Sequence, residues 1–162
     1  MADVRLIAIA ISIACGACGQ AGAAPGSGIT APAGWQAMPQ LAAAAKDAIA
    51  KTVAVDGAEA WGEPAMGCYG VWLSVAAGGD AETVAGHVVE GFAAPELRLQ
   101  VHDVVKPGAD GVMTLAFERA PYPGRLRARL GPDRITALAC FDNQREPRAC
   151  EAACTTLLGA LR

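Results

Sequence analysis

With 162 residues, 53% of them hydrophobic, and a formal net charge of −3, the chain is long enough to bury one core and too short for two comfortable domains. The mild negative charge excludes a nucleic-acid footprint, which calls for a clearly basic domain. Much of the apolar content is alanine, and the one long apolar stretch lies at the N-terminus.

That stretch is Leu6–Ala14, preceded by Arg5. It has the length of a signal-peptide apolar region and is short of the roughly 20 residues needed to span a bilayer. Cys15 and Cys18 follow as C-x-x-C. A redox C-x-x-C follows a strand and opens a helix, whereas here a spacer rich in Gly, Ala and Pro runs from Gly19 to Pro32. The pattern resembles a bacterial lipobox, in which the cysteine is diacylated, although both "SIAC" and "CGAC" lack the leucine usual three residues earlier. Cleavage before Cys18 removes Cys15 and leaves an even set of cysteines, as suits an oxidising compartment. Cys18 is therefore the expected lipid anchor, with Cys15 the alternative and simple cleavage after Ala23 a third route. Gly19 in place of Asp suits outer-membrane sorting. The expected layout is a signal peptide over 1–17, a lipidated tether over 18–33 and a single domain over 34–162. The protein is expected to be exported to a bacterial cell envelope, anchored to the outer membrane and facing periplasm or exterior.

Within the body, Pro39 suits a first helical turn, and Leu41, Ala45, Ala48, Ile49 and Thr52 share a helical face. This predicts a first helix ending near Gly57. Cys68–Ala76 alternates as a strand. Asp80 is placed to cap a helix with Ala81, Val84, Ala85, Val88 and Phe92 on one face. From Leu97 the period becomes two, and "LRLQVHDVV", "GVMTLAFER", "GRLRARL" and "DRITALACF" read as four strands of an antiparallel meander. A last helix after Pro147 carries Cys150, Cys154, Leu157, Leu158 and Leu161 on one stripe. The order α-β-α-β-β-β-β-α predicts an α+β fold, an antiparallel sheet of about five strands flanked by three helices.

"PAGW" at Pro32–Trp35, the "GDAETVAGHVVEGF" helix, the strand opened by Gly111 and the closing leucine-striped helix resemble the PsbP-like and DcrB-like lipoproteins. The resemblance covers about Thr30 to Arg162. It implies a non-catalytic assembly or accessory role at a membrane and supplies no catalytic residues. The four body cysteines depart from those families' usual pattern.

As a zinc site the body cysteines would read C-x71-C-x9-C-x3-C, without a C-x2-C knuckle. Disulfides suit an exported chain better. Cys150 and Cys154 are one helical turn apart, with Cβ atoms about 5–6 Å apart, too far to bond each other. Each should therefore find a sheet partner. Counting depth back from the turn between the last strand and the last helix predicts Cys140–Cys150 and Cys68–Cys154.

The catalytic inventory is thin. The only histidines are His87 and His102. His102 adjoins Asp103, but neighbours on a strand point to opposite faces, which predicts no relay. Ser27 and Ser74, the serines of the mature chain, sit in no nucleophile elbow, and Glu90 and Glu118 show no partner. No catalytic residue, metal or cofactor is expected. The unusual feature is Arg125, Arg127 and Arg129 on alternate positions of one strand, extended by Arg98 and His102 if neighbouring strands align. This is a candidate docking patch for an acidic protein, polysaccharide or lipid headgroup. A solvated face whose charges discourage edge pairing is the plainer explanation. The expected function is non-catalytic binding or scaffolding. The alternative is a small carrier holding an apolar ligand between sheet and helix, where residues such as Ala42–Ala45 leave space.

Overall fold

The computed structural model describes residues 26–51, 53–76, 80–93, 95, 98–119, 122–143 and 148–161. The expected signal peptide, both candidate anchors Cys15 and Cys18, and the first part of the tether lie outside the described residues. The last part, Gly26–Ala33, is docked on the domain: Ile29 and Ala31 pack against its core, and the Ser27 amide donates to Glu59 Oε1 at 3.0 Å.

The described elements run β1 (Gln36–Ala37), α1 (Pro39–Ile49), β2 (Val55–Glu63), β3 (Cys68–Val75), α2 (Ala81–Phe92), β4 (Gln100–Val105), β5 (Val112–Arg119), β6 (Tyr122–Leu130), β7 (Ile135–Asp142) and α3 (Arg148–Gly159). The fold is α+β. The sheet is antiparallel, with seven strands in the order β1-β2-β3-β7-β6-β5-β4, rather than about five.

The two additional strands correct the first helix. Pro39 does open α1, but the helix stops at Ile49, and Val55–Glu63 is a strand. "VDGAEAWGE" is rich in Gly, Ala, Asp and Glu, all poor strand formers. It is extended because β3 pairs along it, with Trp61 opposite Gly70 and Glu59 opposite Trp72. Tertiary pairing here overrides local preference. The cap on α2 is as expected: Asp80 accepts from the Thr83 amide at 3.0 Å.

The sheet faces are dressed differently. One carries α1, whose Ala42 packs with Ala60 and Val71, and α2, whose Val84 and Ala85 pack over Met113, Leu115, Phe117 and Leu126. On the other face α3 lies over β3 and β7, burying Cys150, Cys154, Leu157 and Leu158 against Trp61, Trp72 and Leu138. Gly70 makes this close approach fit, since a Cβ there would lie 2.3 Å from Leu157 Cδ2 and 3.2 Å from Trp35.

Two disulfides fasten α3, Cys68–Cys150 and Cys140–Cys154, each with a Cα–Cα separation of 5.6 Å. The expected pairing is thus exchanged, and the register explains why. Cys68 lies opposite Asp142 at the strand ends, whereas Cys140 lies opposite Gly70, two residues deeper. Cys150 is the shallow helix cysteine and Cys154 is one turn deeper. Two strand residues advance about 6.6 Å and four helix residues about 6 Å, so shallow meets shallow and deep meets deep. Disulfides of this kind belong to an oxidising compartment.

Candidate functional site

Strand β6 runs between β5 and β7, and its alternation settles which side chains go where. Leu126, Ala128 and Leu130 are buried under α2. Arg125, Arg127 and Arg129 therefore point to the face that carries α3. Since α3 lies over β3 and β7 and reaches β6 at Arg125, the rest of the row stands on a part of that face that no described helix covers.

The register builds the site outward. Arg125 pairs with Cys140 on one side and Ala116 on the other, Arg127 with Leu138 and Thr114, and Arg129 with Thr136 and Val112. On β4, His102 lies opposite Ala116, so His102, Ala116 and Arg125 form one row and the histidine does extend the arginine face. Arg98 does not join by register: it lies in the turn before β4, at φ 52°.

The three guanidinium groups differ in their surroundings. Arg125 borders α3, donating from Nη2 to Glu151 O at 3.3 Å and to Thr155 Oγ1 at 3.2 Å. Arg127 is half-buried and its Nε has no hydrogen-bond partner among the described residues. Arg129 is exposed. Alternate strand residues lie about 6.6 Å apart, so the arginines form a straight, evenly spaced row. Glu118 is the acidic neighbour on the same face of β5, two residues from Ala116.

His102 and Asp103 correct a second expectation. The β4–β5 register shifts between His102 and Val105, and Asp103 adopts φ 50°. This bulge turns the carboxylate back, so that Asp103 Oδ2 lies 2.9 Å from His102 Nδ1. Strict alternation fails at bulges, and the pair is in contact. Both side chains are exposed, which is a poor setting for a base to be activated. His87 is exposed on α2, and among the described residues no group of three or more His, Cys, Asp or Glu side chains is arranged to hold a metal.

Two concavities lie elsewhere. A groove of about 470 Å³ runs between α1 and the outer edge of β2, lined by Ala42, Ala43, Ala58, Ala60 and Lys46. A second cleft brings together Ser74, Arg134, Thr136 and Thr156. The sequence pattern does not disclose it. The alternation of Trp72 and Ser74 places the serine on the face of Gly70, but only the docking of α3 shows that this face is roofed. No family model, curated protein or solved structure matches the chain.

Proposed function

We propose that this protein is an exported, non-catalytic binding or scaffolding module, tethered to a bacterial outer membrane through lipidated Cys18, whose uncovered sheet face docks a linear acidic polysaccharide. The arginine row carries the reading. Equally spaced cations on a rigid strand match a polymer with regularly repeated charge better than a single headgroup or an irregular protein surface. Guanidinium groups suit carboxylate and sulfate because their planar donor forks pair with such anions in two-point contacts. A chain with net charge −3 gains little from long-range attraction, so the local row must supply the binding.

The test is retention of the purified protein on immobilised polygalacturonate at low and high salt. Retention should be lost at about 0.2 M salt, since exposed charge pairs are screened, and R125Q/R127Q/R129Q should bind at least tenfold more weakly. Equal binding by the triple variant would refute the docking face, and preference for anionic vesicles would move the reading to a lipid headgroup. For the anchor, palmitate incorporation should be lost in Cys18→Ser and kept in Cys15→Ser. Incorporation in neither parent nor variant would remove the lipid anchor from the proposal.

A further inference from the structure

The second cleft holds about 650 Å³, within the range of small-molecule sites. Its walls are the docked segment Gly26–Thr30, the ends of β3 and β7 away from the disulfides, and the last turn of α3. One side is apolar, formed by Ile29, Leu161 and Trp72. The other is polar: Ser74 on β3, Thr136 opposite it on β7, Arg134 just before β7, and Thr156 on α3, whose hydroxyl donates to Ala152 O at 3.0 Å.

Ser74 marks the cleft as a site. It is 1% exposed, and its Oγ has no hydrogen-bond partner among the described residues. Buried hydroxyl groups are ordinarily paired, so a hydroxyl left unpaired at the wall of a cleft fits an atom that enters from outside. The surrounding chemistry specifies that atom. Arg134 can only donate. It gives one contact to Asp56, with Nη2 3.2 Å from Oδ2, which leaves further N–H groups. No carboxylate is among the described lining residues, and Glu59 beside it is engaged by Ser27. Arg134 is thus the one charged side chain among the described lining residues, beside the unpaired Ser74 hydroxyl, and Ile29, Leu161 and Trp72 face them with hydrocarbon.

We propose that this cleft binds a small amphipathic organic anion, with a carboxylate on Ser74, Thr136 and Arg134 and a short acyl body between Ile29 and Leu161. The cleft adjoins the end of the arginine row, since Thr136 lies opposite Arg129, but Arg125 and Arg127 do not line it and it does not depend on that row's function.

The probe is octanoate, titrated calorimetrically into full-length oxidised protein at pH 7, with octanol and acetate as controls that keep one half of the molecule each. Octanoate should bind saturably at one site, and each control at least tenfold more weakly. S74A should weaken octanoate at least tenfold without lowering thermal stability, because the lost hydroxyl has no partner within the protein. A merely structural serine would not show that combination. A160F, which fills the cleft, should abolish binding, whereas R125Q/R127Q should leave it unchanged while weakening polygalacturonate retention. Absence of octanoate binding, octanol binding as tightly as octanoate, or full affinity in both S74A and A160F would overturn the proposal.

Discussion

One face of the sheet is built in two ways. Over β2, β3 and β7 it is roofed by α3 and by the segment running from Gly26 to Trp35, and it presents Trp61, Trp72, Leu138 and the two sheet cysteines to that roof. Over β4, β5 and β6 the same face has no described helix above it and presents Arg125, Arg127, Arg129, Thr114 and His102. The strands on either side of the boundary are hydrogen-bonded neighbours, so the backbone does not make the difference. Side-chain chemistry does: each half carries residues suited to its own surroundings, and the covering helix is held by covalent bonds where the apolar half ends.

The largest difference between the halves should appear at the disulfides. If they hold the roof in place, removing both by C150S/C154S should cost more stability than any single substitution on the open half. In the loop-entropy account the Cys68–Cys150 bond, closing a separation of 82 residues, contributes about 4.5 kcal/mol and the Cys140–Cys154 bond, closing 14, about 3 kcal/mol. Urea unfolding with and without reductant measures the joint effect, and C68S should lose more than C140S. Near-equal losses would show that α3 is held by packing rather than by loop closure.

A sharper test uses one small side chain in each half. Gly70→Ala places a methyl group against Leu157, which is 1% exposed and has little room to move. Overpacking of this kind costs about 1–3 kcal/mol. Ala116→Val, in the same row but between His102 and Arg125 on the open half, should change stability by less than about 0.5 kcal/mol. A large loss at Ala116 would mean that the open half is covered after all.

How far the sequence discloses these two halves depends on whether the signal is local. The period-two strands from Gln100 to Asp142, the Asp80 cap and the buried stripe of α3 are all local and all legible. So is the common face of the arginines, since alternation on one strand suffices. Pairing needs the third dimension. The strand at Val55–Glu63 has no local preference for extension, and pairing with β3 along its length, with β1 at Trp61 and Gly62, determines it. The disulfide partners follow from Cys68 lying opposite Asp142, a register that spans more than seventy residues of chain. The His102–Asp103 contact depends on a bulge with Asp103 at positive φ, and no glycine marks it. The Ser74 cleft needs α3 and the docked segment together, because a serine on a strand is ordinary until something roofs it.

The smallest effect concerns the back of the open half. Its reverse side is covered by α2, and α2 begins at Asp80, whose carboxylate accepts from the Thr83 hydroxyl and amide. The Thr83 hydroxyl, then the Thr83 amide, hold the Asp80 carboxyl below its ordinary value, because hydrogen bonds to the charged form favour it. The folded value is depressed, so the folded state binds this proton less readily than the unfolded state. The capping contribution is therefore complete above the ordinary carboxylate range, near pH 4, and declines as pH falls through the lowered value. Asp80→Asn keeps an acceptor for the Thr83 amide but removes the charge. Its melting temperature should be slightly below that of the parent at pH 7, and the gap should close as pH falls through the lowered Asp80 value. The C-terminal helix, tied by its disulfides, gives the internal reference: hydrogen exchange should report the acid-sensitive loosening in the first turn of α2 and leave the amides around Cys150 and Cys154 protected. Loosening at both helices together would show that the two halves of the sheet respond to acid as one unit.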